Sequence, residues 1–195
     1  MKKNLAIIIS SYDECSDMWK NFFKIFFHYW DNCKYNIYLV NNFLQPNFQD
    51  IITINTGKEI GWRNRILTAL NKIEEEYIMF FHEDYFLGKN VSNNQIEEVL
   101  NDIWKNSIKM YRLSKRPKAS GKLLNKPYLS PVYENERYGI SLQCAIWEKK
   151  EFINRINEID GELPWDFERY FLSKCKNEKR KIIEGYIVDK RDILK

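Results

Sequence analysis

Residues 77–86 constrain this chain more than any other stretch: Tyr77-Ile78-Met79-Phe80-Phe81-His82-Glu83-Asp84-Tyr85-Phe86. The apolar run up to Phe81 reads as a strand buried on both faces, the pattern of a parallel sheet covered by helices. His82, Glu83 and Asp84 then arrive abruptly. Acids at the carboxyl end of a central strand stand where open α/β sheets hold their ligands. Two neighbouring carboxylates repel each other unless a cation or a donor group neutralises them. Hard divalent cations with oxygen ligands, Mg²⁺ or Mn²⁺, meet that need. The competing interpretation is an acidic, solvated turn, so the rest of the chain has to decide.

The run of elements around this strand is alternating. Leu5-Ala6-Ile7-Ile8-Ile9 is a short apolar run ending in the polar loop Ser10-Ser11-Tyr12-Asp13. Trp19, Phe22, Phe23, Phe26 and Trp30 follow at helical spacing, with Asp13 or Ser16 as the candidate cap. Ile37-Tyr38-Leu39-Val40 is a second strand, closed by Asn41-Asn42, and Ile51-Ile52-Thr53-Ile54 a third. After a turn between Gly57 and Gly61, Trp62, Ile66, Leu70 and Ile73 mark a second amphipathic helix leading into the acidic-ended strand. The first 86 residues thus predict β-α-β-loop-β-α-β, and so a largely parallel sheet with right-handed crossovers.

Beyond Asp84 the rhythm changes. A helix is expected over 96–104, a strand over 108–113, and then a loop over 114–137 with Pro117, Pro127 and Pro131. A strand over 138–147, a helix over 149–157, a helix opening at Pro164 and a last strand over 182–188 complete the reading. Asp166 and Glu168 fall in the first turn of the Pro164 helix, where the positive helix end favours acids. Trp147 reads as core, Gln143 as a candidate pocket residue and His28 as structural.

With 195 residues the chain is long enough for one domain with a sizeable core. A net charge of +4, from 31 basic and 27 acidic residues, is too small for the concentrated basic footprint of nucleic-acid binding. Arg112, Lys115, Arg116, Lys118 and Lys122 form a basic cluster, and with the aromatic first helix they suggest peripheral contact with an anionic membrane surface. Cys15, Cys33, Cys144 and Cys175 form no CxxC pair and have no zinc spacing, which points to reduced thiols in a cytoplasmic setting.

In this order, the Ser-Tyr-Asp loop, the Asn-Asn strand end, the acidic strand end and Pro164-Trp165-Asp166-Phe167-Glu168 resemble the small bacterial GT-A-fold glycosyltransferases of surface-polysaccharide synthesis. The resemblance covers residues 4 to about 172. It implies one GT-A-like, Rossmann-like α/β domain over 1–195, with a mostly parallel sheet flanked by helices. Residues 1–90 would form the nucleotide-sugar half and 91–195 the acceptor half. It implies transfer of a sugar from a nucleotide-sugar donor, a UDP-sugar being favoured, to a saccharide or lipid-linked saccharide.

The resemblance also assigns roles. Ser10, Ser11, Tyr12 and Asp13 would wrap the nucleotide base. Asn41 stands where an acid usually touches the base or ribose, and Trp62, Arg63 and Arg65 are candidates beside the donor. His82-Glu83-Asp84 takes the place of the metal-binding DxD motif, with Asp84 the principal ligand of Mn²⁺ or Mg²⁺ and Glu83 or His82 assisting. Glu168 or Asp166 would be the general base, the other capping the helix or holding an acceptor hydroxyl, and a single displacement would invert the anomeric centre. Two other classes compete with this reading. One is a nucleotidyltransferase, which the absence of glycine in the first loop opposes. The other is a non-catalytic nucleotide- or sugar-binding module, which would not need Asp84 and Glu168 to converge on one cleft.

Overall fold

The computed structural model describes residues 5–58, 60–121, 126–175 and 181–195. One eight-stranded sheet runs through it, in the order β3-β2-β1-β4-β7-β5-β8-β6. Its first half consists of β1 (Leu5–Ser10), β2 (Asn36–Asn41), β3 (Ile51–Asn55) and β4 (Tyr77–His82), all parallel. The second half mixes directions. β7 (Ala145–Glu148) is antiparallel to both β4 and β5 (Met110–Arg112); β8 (Ile182–Asp189) is parallel to β5; and β6 (Leu129–Tyr133) is antiparallel to β8 at the edge.

Alternation along the central strands divides the core into two layers. Ile7, Ile9, Met79 and Phe81 face the aromatic stripe of α1 (Ser16–Tyr29) and the apolar face of α3 (Asn93–Lys105). Ala6, Ile8, Ile78 and Phe80 face α2 (Gly61–Leu70), α4 (Lys149–Asn157) and α5 (Pro164–Lys174). Sheets covered on both sides by helices need strands that are apolar throughout, which is what β1 and β4 supply.

The predicted β-α-β-loop-β-α-β of the first half is what forms. Two expectations for the second half are corrected. The segment read as an irregular loop over 114–137 contains β6, with Pro131 inside it; an edge strand tolerates a residue that cannot donate on its open side. The strand expected over 138–147 begins only at Ala145; residues 138–144 form turns and bends, with Tyr138 at a φ of 57°.

The residues behind the expectation of membrane contact are placed as follows. Trp19, Phe22, Phe23 and Phe26 are buried in the core. Arg112 is 2% exposed and donates to the carbonyls of Tyr138 and Pro117, so it anchors a loop from inside. Lys115 pairs with Asp192 at 3.3 Å, and Lys122 lies outside the described residues. No helix among the described residues is long and apolar enough to cross a membrane.

Candidate active site

The strand order changes direction of growth at β1: the chain passes from β1 outward to β2 and β3, and then back to β4 on the other side. Such a switch point opens a crevice at the carboxyl ends of the two strands. Ser10 and His82 are register partners there. Because β7 runs antiparallel to β4, with Phe80 opposite Ala145, the residues just before β7 arrive at the same edge. Gly61, at φ 78°, brings the start of α2 against the approach to α5: the Trp62 N–H donates to the Glu162 carbonyl at 2.7 Å. Three separate segments therefore meet around one cleft of about 340 Å³, within the usual size of small-molecule sites.

His82, Glu83, Asp84, Gln143, Trp165 and Glu168 line it, with Tyr85, Leu142 and Pro164. Asp84 and Glu168, 84 positions apart in sequence, thus face one space. The Leu142 N–H donates to Glu168 Oε1 at 3.2 Å and holds that carboxylate at the cleft wall. Trp165 is 66% exposed at the rim, not the core residue that a plain helix start would make it. Trp147 is buried in the core, as expected, and Gln143 reaches the cleft.

The carboxylates differ in setting. Glu83 is half-buried; burial raises its pKa, while its own backbone N–H, the Cys15 thiol and Arg65 act in the opposite sense. Burial, aided by the hydrogen bond to Glu83, pushes the Cys15 thiol up to about 11. His82 packs edge-on to Phe80, ring centres 5.2 Å apart, and parallel to Trp62 at 6.4 Å. Burial holds its imidazole down at about 4, Asp84 opposing and Arg65 assisting, so the ring is neutral near pH 7. Asp84 is exposed to the cleft.

His82, Glu83 and Asp84 stand differently toward the expected cation. Among the described residues no three His, Cys, Asp or Glu side chains gather as a cation site. His82 is wedged between rings and Glu83 is engaged by Cys15, which leaves Asp84 as the open oxygen donor. That donor suits Mg²⁺ or Mn²⁺ when phosphate oxygens and waters complete the shell, as those ions commonly require.

Several residues expected at the donor are engaged elsewhere. Ser10 and Ser11 are 1% and 2% exposed, and their hydroxyls accept the indole N–H groups of Trp62 (3.2 Å) and Trp19 (2.7 Å). Asn41 is fully buried: its amide donates to the Leu44 carbonyl and its oxygen accepts from Asn55, both at 2.7 Å. Asp13 caps no helix; its carboxylate accepts the backbone N–H groups of Asn42, Phe43 and Leu44 at 3.1–3.3 Å, tying the two loops together. Arg63 turns away to the end of α4, donating to the Ile156 carbonyl and Asn157. Trp62 is buried beneath His82. Asp166 accepts the Leu163 N–H at 3.0 Å and pairs with Arg169 at 2.9 Å, so it closes the start of α5 and does not line the cleft.

Arg65 takes the place that Arg63 does not. It is 5% exposed, its guanidinium lies 5.4 Å over the Tyr12 ring, and its charge acts on both His82 and Glu83. Helical spacing distinguishes the two: Arg65 precedes Ile66 on the inward side of α2, whereas Arg63 follows Trp62 toward α4.

The same architecture occurs in solved glycosyltransferases. The chain superposes on Staphylococcus aureus TarS 1–349 in complex with UDP-GlcNAc with a TM-score of 0.56, at 12% identity, over 95% of this chain and 58% of that one. It superposes on the mannosyltransferase PcManGT from Pyrobaculum calidifontis, in complex with GDP-Man and Mn²⁺, with a TM-score of 0.51 and 13% identity, over 78% of this chain and 46% of that one. The fold is GT-A. The chain spans about 60% of the length of TarS 1–349. No protein-family model and no curated protein matches the sequence.

Proposed function

We propose that this chain is a glycosyltransferase that moves a sugar from a nucleotide-sugar donor to a saccharide or lipid-linked saccharide acceptor. The observation that carries the reading is the convergence of Asp84 and Glu168 on one cleft at the switch point of a GT-A sheet. A binding module has no use for an open carboxylate on both walls. Glycosyl transfer has a use for each.

In this reading the acceptor hydroxyl attacks the anomeric carbon, the bond from that carbon to the diphosphate oxygen breaks, and the diphosphate leaves with the electron pair. Glu168, steadied by the Leu142 N–H, accepts the hydroxyl proton as general base. A single displacement of this kind inverts the anomeric centre. Asp84, with Glu83 beside it, would hold a divalent cation, whose chemistry when bound is to offset charge on the leaving diphosphate. Arg65, beneath Tyr12 and close to Glu83, adds fixed positive charge to the same wall. The solved relatives carry UDP-GlcNAc in one case and GDP-Man with Mn²⁺ in the other, which supports a nucleotide-sugar donor here and leaves a UDP-sugar as the first candidate. A role in bacterial surface-polysaccharide synthesis goes with the sequence resemblance. A cytoplasmic setting rests on the four cysteines, all free thiols.

Calorimetric titration of UDP, GDP and CMP, with and without Mn²⁺, tests the reading. The expected result is binding of one nucleotide that strengthens with Mn²⁺ and loses that gain in Asp84→Ala. Binding indifferent to Mn²⁺ would keep the donor site and assign its charge to Arg65. Failure of every nucleotide to bind would overturn the enzyme reading.

A further inference from the structure

A second cleft, of about 460 Å³, adjoins the first: Glu168 and Trp165 line both, and Tyr138, Arg169 and Leu172 complete its lining. The two clefts therefore share a wall, and the general base of the proposed reaction stands between them. A monosaccharide acceptor would need only the inner space. The outer one has the makings of a sugar subsite. Trp165 is 66% exposed, and Tyr138 stands at the same opening on a turn held by the Arg112 side chain, which donates to the Tyr138 carbonyl at 2.8 Å. Exposed aromatic faces whose edges or hydroxyls stay wet suit ligands that are apolar on one face and polar at the rim, which describes a pyranose ring.

Charge narrows the class. Among the described residues Arg169 is the one cation lining the outer cleft, but its guanidinium is paired with Asp166 at 2.9 Å and its Nε donates to the Trp165 carbonyl. With Glu168 also present, the described lining of the outer cleft offers no uncompensated positive charge, so an anionic sugar gains nothing from it.

We infer that the acceptor is a neutral saccharide at least two units long, its reacting unit beside Glu168 and its next unit stacked on Trp165 in the outer cleft, with Tyr138 at its edge. This rests on the glycosyltransferase reading above and specifies its acceptor. Trp165 becomes a specificity-determining residue: it selects chain length and leaves the choice of nucleotide to the other wall.

The test is saturation-transfer NMR on the whole chain with its bound nucleotide, using cellobiose, lactose, maltose and chitobiose against glucose, galactose and N-acetylglucosamine. At least one disaccharide is expected to bind up to about tenfold more tightly than its monosaccharide, the range of an aromatic stacking contact. Trp165→Ala should erase the preference, Trp165→Phe should restore part of it, and Tyr138→Ala should reduce it, with thermal melting showing each variant folded. Equal binding of mono- and disaccharides, or a preference that survives Trp165→Ala, overturns the inference. Binding of the wild type to phosphatidylcholine–phosphatidylglycerol vesicles that is lost in Trp165→Ala assigns the exposed ring to lipid and also overturns it. Nucleotide binding without any disaccharide preference fails this inference alone, whereas loss of nucleotide binding fails the reading beneath it.

Discussion

The Leu142 N–H and Glu168 Oε1 are 3.2 Å apart, so a backbone group from the approach to β7 holds a carboxylate on α5 at the cleft wall. Glutamine at 168 keeps an oxygen for that N–H and removes the basicity. Glu168→Gln is therefore expected to lower kcat for sugar transfer by roughly 10²–10⁴-fold, the usual contribution of a general base, with nucleotide affinity and melting temperature little changed. Parallel turnover and calorimetry measure both. Unchanged kcat would remove Glu168 from the chemistry.

Asp166 gives the contrasting result. Its partners are the Leu163 N–H and Arg169, and Arg169 is largely exposed, so its ion pair contributes little. Asp166→Ala should cost about 1 kcal/mol in denaturant unfolding, chiefly from the lost cap. Turnover should stay within a few-fold of wild type. A loss as large as that of Glu168→Gln would exchange the two roles.

Asn41 stands where the sequence resemblance expects an acid, yet restoring one should not help. The side chain is fully buried and its amide donates to the Leu44 carbonyl. Asn41→Asp sets a carboxylate against that carbonyl in a dry site, a change worth on the order of 3 kcal/mol of lost stability. Calorimetry should find no gain in nucleotide affinity, and a gain would show that this side chain reaches the donor.

The strands of the parallel half could be read from sequence because each is a continuous apolar run with a polar stop, and burial on both faces leaves little else such a run can do. β6 could not, since Ser130 and Pro131 break any alternation and only its pairing with β8 makes it a strand. The site divides in the same way. Asp84 and Glu168 were legible as acids at a strand end and a helix start. The Leu142 N–H that orients Glu168 belongs to an apolar residue and leaves no mark in the sequence. The resemblance made Asp13, Asn41 and Ser10 candidate ligand groups. Here their partners lie on another loop, on β3 and on α2, and only tertiary contact reveals that.

Gly61 shows how such contacts place the site. Its φ is 78°, and a Cβ there would collide with the Glu162 carboxylate. Gly61→Ala should destabilise the fold by about 1–3 kcal/mol through backbone strain alone. It should also lower kcat by shifting α5 and with it Glu168. Adding Glu162→Gly, which removes the Glu162 Cβ at 2.9 Å as well as the carboxylate, should relieve the collision and leave the strain, so chemical denaturation of the single and double variants separates the two. Equal stability of Gly61→Ala and wild type would contradict the geometry.

Alkaline titration tests the second half of the sheet. Burial pushes the Tyr35 hydroxyl up to about 12, and burial with a carboxylate partner raises Tyr111 and Tyr186 further still. Tyr111 donates to Asp189 at 2.7 Å and Tyr186 to Glu151 at 2.6 Å, so ionising either hydroxyl would set two negative oxygens against each other. Folded values above the ordinary 10 mean that the unfolded chain releases these protons first. Their contribution is thus complete below pH 10 and is lost as pH rises beyond it. Denaturation free energy should be level approaching pH 10 from below and then fall, with a class of tyrosines ionising only as the protein unfolds, followed by ultraviolet absorbance. Tyr111→Phe should shallow that fall. A steep fall unchanged both in this variant and in Tyr186→Phe would place the alkaline sensitivity outside β5 and β8.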